Sequence, residues 1–208
     1  MSFGSFVEGP LLQGAFLIFL AGIAARLSFS ISAILASSRE KAKPFRYSLV
    51  SLGRLLVPFH KGLNKRPLYA SLRYTFHVCL FMVPVFLFEH IVLWEESRFE
   101  WGWSALPGLW ADRLTLVVLS FLLVFLLRRF IVPAVRATSS PSDCLFLLVV
   151  SLPFLTGYLL SHPTPDFLSL PDKDLWTIHV LSGEALLITS AFLFCRTRLA
   201  EDKCTGCA

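Results

Sequence analysis

The chain has 208 residues, of which 55% are apolar and only 16% charged, with Phe occurring 20 times. Mean hydropathy is +0.68. A water-soluble domain of this size could not cover so much apolar surface with so few charges, which excludes an ordinary soluble enzyme, a disordered segment and a nucleic-acid module. The expectation is an all-α integral membrane protein, a single membrane domain over residues 1–208.

Apolar runs of about 20 residues, the length that crosses roughly 30 Å of hydrocarbon, predict five spans. They cover residues 11–35, 74–94, 113–135, 143–160 and 175–195. The first is not a signal peptide, because Glu8 precedes it and no basic residue appears before Arg26. Residues 36–73 follow, where Leu49, Leu52, Leu55, Leu56 and Phe59 recur at helical spacing with Arg54 and Lys61 among them. That pattern predicts an amphipathic helix on the membrane surface or against a partner. The third run is clean only to Leu127, so Arg128 and Arg129 are expected to snorkel to the interface. Ser139, Ser140 and Pro141 mark a tight turn before the fourth.

Orientation follows from the basic residues. The first long loop carries Arg39, Lys41, Lys43, Arg46, Arg54, Lys61, Lys65, Arg66 and Arg73 against Glu40 alone. Arg128, Arg129, Arg136, Arg196, Arg198 and Lys203 fall on the same side. The opposite side carries Glu95, Glu96, Glu100, Asp112, Asp166, Asp172 and Asp174, with Trp94, Trp101, Trp103, Trp110 and Trp176 as an interfacial aromatic belt. This predicts a five-transmembrane-helix bundle in a cell inner membrane, N-terminus outside and C-terminus cytoplasmic.

Ionisable groups inside spans are costly and usually functional. Here they are Arg26, His77, Glu89, His90, His179 and Glu184, with His60 and His162 at the cytoplasmic and outer edges. Neutral imidazoles buried among facing helices make good haem axial ligands, while an isolated one more often serves as a hydrogen-bonded polar contact between helices. Span two places His90 near the outer face, and span five places His179 at the same level, so the two can sandwich one haem. His162 competes at that level. His77, near the cytoplasmic face, has His60 as its one candidate partner. Thirteen residues set His77 and His90 about 140° apart on an ideal helix, although Pro84 between them can re-phase the two halves. Arg26 is open to two readings, a haem-propionate partner or an ion pair with Glu184. Glu89 and Glu184 could carry protons to or from a quinone, or simply orient a histidine or face an aqueous crevice.

The stretch RFIVPAVRATSSPSDCLFLLVVSLPFLTGY from Arg129, with Phe76-His77, HVLSGEALLI at His179 and AGIAARLSF around Arg26, resembles the cytochrome b (gamma) subunit of respiratory nitrate reductase. FHKGLNKRPLYASLRYTFHVC and EHIVLWEES look closer still to the membrane cytochromes of transmembrane redox complexes in sulfate-reducing prokaryotes. The resemblance implies two b-type haems, a quinone or menaquinone site and electron exchange with a cytoplasmic iron–sulfur subunit, whose clusters lie in that partner. An outer-side multihaem cytochrome is a further implied partner. By position it makes His77 the inner-haem ligand on span two, with His90 and His179 serving the outer haem. The nitrate reductase subunit has a second histidine at the cytoplasmic end of span five, where this chain has Cys195-Arg196-Thr197. His60 is the substitute, and a single haem is the alternative.

Five cysteines show no disulfide-framework spacing. Cys204 and Cys207 resemble the opening of a ferredoxin-type motif, but two thiolates hold neither a four-iron cluster nor a zinc ion. The leading expectation is therefore a non-autonomous haem b subunit of a quinone-linked oxidoreductase. A small proton or metal transporter using His90, His179, Glu89 and Glu184, and a purely structural anchor docking through the basic loop, are the alternatives.

Overall fold

The computed structural model of the chain describes residues 3–40, 67–97, 100–162 and 171–205. Among these, every regular element is helical. A short α1 (Phe3–Phe6) runs through one π-helical stretch, Val7–Leu11, into α2 (Leu12–Glu40). Pro10 lies inside that stretch and has no N–H to give. Then come α3 (Pro67–Phe86), α4 (Phe88–Glu95), α5 (Gly108–Ile131), α6 (Pro133–Thr138), α7 (Pro141–Ser161) and α8 (Asp172–Thr205).

Among the described residues, four helical stretches are long and apolar enough to cross a bilayer: Val7–Ser32, Gly108–Ile131, Pro141–Ser161 and Asp172–Leu193. The α3–α4 pair is equally apolar but bent by 47°, and would count as a fifth span if taken as one. The protein is thus an all-α, multi-span membrane protein. Four expected spans fall on the four straight helices and the second falls on the bent pair. The expected amphipathic segment falls almost entirely on residues 41–66, outside the described residues, together with His60.

By contacts the chain forms two compact units, residues 1–65 with 180–208, and residues 66–179. In the first, α2 meets α8 at Gly22. A Cβ there would sit 2.9 Å from the Cβ of Ala191 and 3.0 Å from its Cα, so no larger residue fits without moving backbone. Ala15, Ser30, Ser182 and Glu184 are buried in this unit, while Leu17, Phe29 and Phe192 point outward as lipid-facing residues should.

In the second unit α5 packs against both α3 and α7. Val118 and Leu122 of α5 are buried, as are Phe76, Cys79 and Val83 of α3 and Val150 and Phe154 of α7. Phe76 meets Phe125 edge-on with ring centres 5.3 Å apart. Two helix starts are dictated by proline. Val132 and Ser140 each precede a Pro and take extended backbone, so α5 stops before Pro133 and α7 begins at Pro141. Asp143 accepts the Ser140 N–H at 2.9 Å and pairs with Arg129 at 3.4 Å, which ties the end of α5 to the start of α7.

The carbonyls freed at the break between α3 and α4 each have a replacement donor. Leu87 leaves the helical region (φ −72°, ψ 130°) while its own N–H still reaches Val83. In an unbroken helix the carbonyls of Pro84, Val85 and Phe86 would take the N–H groups four residues on. Here the Pro84 carbonyl accepts from the His90 ring at 2.9 Å, the Val85 carbonyl from the Trp103 indole at 2.9 Å, and the Phe86 carbonyl from the Leu106 N–H at 2.9 Å. Irregular backbone at membrane depth is tolerable only with such replacement partners.

Candidate functional site: a histidine pair beside the break

Residues from three helices converge in the second unit. His90 comes from the first turn of α4, His179 from α8, and Thr156 with Gly157 from α7. The imidazole centres of His90 and His179 lie 6.2 Å apart with ring planes 25° from parallel. The two rings are near-parallel but widely spaced, 2 Å farther apart than His162 on the Tyr158 ring at 4.1 Å. Two imidazoles bound to one metal at about 2 Å, with ring radii of about 1.2 Å, have centres roughly 6.4 Å apart in the linear case. The observed spacing matches that arrangement.

The hydrogen bonds assign each tautomer. A carbonyl only accepts, so His90 carries its proton on Nδ1, facing Pro84. His179 Nδ1 lies 3.1 Å from the Thr156 hydroxyl, whose own proton goes to the Leu152 carbonyl at 2.8 Å. Thr156 Oγ1 therefore accepts, and His179 also carries its proton on Nδ1. One nitrogen of each ring is thereby anchored by a neighbouring group, an arrangement also found at metal-bound histidines. Gly157 supports the ring: a Cβ there would lie 3.0 Å from His179 Cε1. Trp176 flanks the same imidazole with centres 6.4 Å apart.

The remaining expected residues are distributed more widely. His162 gives Nδ1–H to the Tyr158 carbonyl at 3.0 Å and turns Nε2 toward Asp112 at 3.6 Å, so its second nitrogen already has a carboxylate beside it. His77 gives Nδ1–H to the Arg73 carbonyl at 2.7 Å and abuts Phe76. The partner expected for it, His60, lies outside the described residues. Glu89 is exposed on α4. In the other unit, Glu184 is buried and neither carboxyl oxygen has a hydrogen-bond partner. Arg26 is half-buried and engages other groups, so the expected Arg26–Glu184 hydrogen-bonded pair is not formed. Cys207 lies outside the described residues, and for Cys204 only the helical backbone is described. Among the described residues no group of three or more His, Cys, Asp or Glu could hold a metal ion. A two-histidine axial pair lies below that number.

A protein of Nitratidesulfovibrio vulgaris strain Hildenborough is 31% identical over 196 residues, covering 90% of this chain and 84% of that protein. The chain belongs to that protein's family. The relative is called simply "Protein", a name that assigns no activity. No protein-family model matches the chain, and no solved structure does.

Two members of the site escaped the sequence reading. Thr156 and Gly157 sit inside an apolar run, where a hydroxyl and a missing side chain are the usual marks of a helix contact face. That signal was present in LTGY.

Proposed function

We propose that this family member is a haem b electron-transfer subunit. Its outer haem is held between His90 and His179, and it exchanges electrons between membrane quinone or menaquinone and a cytoplasmic iron–sulfur partner. The single observation that carries the reading is the histidine pair, with centres 6.2 Å apart and both Nδ1 atoms anchored. The donor set suits a low-spin bis-histidine haem, and the haem, when bound, supplies a one-electron carrier. The protein's own work is to anchor one nitrogen of each imidazole and to exclude water with apolar helices; His90 and His179 would hold the haem.

The same reading takes α3 and α4 as one bent span, giving five in all, with the N-terminus outside and the C-terminus in the cytoplasm of a cell inner membrane. His77, with His60, is assigned to a second, inner haem. Arg26 is assigned to a propionate and Glu184 to proton movement at the quinone step. A proton or metal transporter, or a structural anchor, would need no haem.

Colour separates these readings. The protein, made with its partners under haem-replete conditions, is examined by a reduced-minus-oxidised spectrum and by pyridine haemochrome per polypeptide. We expect b-type absorption that falls by at least one haem in His179→Ala. A colourless wild-type complex refutes the cytochrome reading and leaves the other two.

A further inference from the structure

The break at Leu87 is unusual because nothing in the local sequence demands it there. Pro84 removes one N–H, but Leu87-Phe88-Glu89 contains no breaker. The backbone nevertheless leaves the helix at Leu87, three residues after the proline. Two of the three donors that replace the lost helical bonds come from outside α3 and α4. The extended segment 100–107 returns to the break and delivers two donors, the Trp103 indole to Val85 and the Leu106 N–H to Phe86, both at 2.9 Å.

The third freed carbonyl, that of Pro84, receives the His90 ring. In a continuous helix this carbonyl would face the Phe88 N–H, and the His90 ring would lose its anchor. The break and the ring position of His90 are therefore alternatives to a healed helix, and the outer segment is what favours the broken form.

We propose that segment 100–107 acts as a positioning strap for His90. Trp103 and Leu106 hold the helix open at Leu87, and the open helix presents the Pro84 carbonyl that fixes the Nδ1–H tautomer and the plane of the ring. Its consequence at the metal rests on the haem reading above; the strap itself does not. Ring plane and the hydrogen bond on the distal nitrogen both tune a bound iron, so the strap sets the electronic character of the outer site.

The test uses Trp103→Phe, which removes the indole donor and keeps an aromatic ring, and Leu106→Pro, which removes the backbone donor together with the leucine side chain. Trp110→Phe is the matched control, an outer tryptophan whose ring instead meets Arg113. Three readouts are taken on the full chain in its complex: hydrogen exchange across residues 84–91, the tautomer of His90 by 15N-histidine NMR, and the low-spin haem signal with its midpoint potential. Loss of one net hydrogen bond speeds exchange about fivefold. We expect that acceleration, a reduced Nδ1–H population and a displaced haem signal in both strap variants, with none of these in Trp110→Phe.

The strap is overturned if either variant folds and gives wild-type exchange and tautomer. Faster exchange with an unmoved tautomer and haem signal also overturns it, because the segment would then brace the fold without positioning the ring. If the wild-type complex holds no haem, the proposed function fails and the exchange and tautomer readings alone decide the strap.

Discussion

Thr156→Val tests the assignment of the site most directly, because it removes one hydroxyl and alters almost no volume. The hydroxyl donates to Leu152 at 2.8 Å and accepts from His179 Nδ1 at 3.1 Å. Valine removes both roles. The Leu152 carbonyl keeps its helical N–H partner, so that loss is small. The imidazole loses its hydroxyl partner, and impairing a buried hydrogen bond in this way costs about 1–3 kcal/mol. Outer partners of metal-bound histidines are worth about 10–100-fold in affinity, which is about 1.4–2.8 kcal/mol and agrees with the first figure. Haem titrated into the purified apoprotein, followed by Soret absorbance, should bind Thr156→Val about 10–100-fold more weakly. Thr156→Ser, which keeps the acceptor, should bind within about threefold of wild type, since the hydrogen bond survives. Wild-type affinity in the valine variant would refute the tautomer assignment. Equal loss in both variants would mean that Thr156 acts by packing.

Gly157→Ala places a methyl 3.0 Å from His179 Cε1; we expect it to displace the ring at a cost of about 1–3 kcal/mol, read as weaker haem binding with helix content retained by circular dichroism. Gly22→Ala should destabilise the first unit, where the new Cβ meets Ala191 at 2.9 Å. Adding Ala191→Gly should recover the loss, and a coupling energy under about 0.5 kcal/mol in detergent unfolding would show that the two residues do not meet. Glu184→Gln breaks no hydrogen bond, since neither carboxyl oxygen has a partner, so stability should stay within about 1 kcal/mol of wild type. A loss of about 3–5 kcal/mol would instead reveal a buried ion pair.

The long helices were legible because about 20 apolar residues in a row leave little else for a chain to do. The His90–His179 meeting was legible too, because depth along antiparallel spans follows from counting residues. Three features were not. Pro84 signalled a disturbance, but the break came at Leu87, where the decisive bonds arrive from Trp103 and Leu106, more than fifteen residues further along. Trp103 read as one more belt residue because indoles at an interface usually need no further role. His162 read as a possible ligand because nothing in sequence brings Asp112, fifty residues earlier, to its second nitrogen. In each case the deciding contact was non-local, and residue type alone allowed several answers.

The two histidines are unequal in what else they do, and this governs how their variants are to be read. The His179 ring meets the Thr156 hydroxyl and the space left by Gly157, and no helix break lies at it. The His90 ring is itself the partner of the Pro84 carbonyl at the break. Removing it strands an acceptor within an apolar span, where water is scarce and an unmet carbonyl is costly. The remedy open to the chain is to return the Phe88 N–H to Pro84, which heals the helix and competes with the Trp103 and Leu106 bonds. A change at His90 therefore alters the backbone as well as the ligand set. Comparing variants at His179 and His90 separates the proposed ligand role of the pair from the role of His90 in the break.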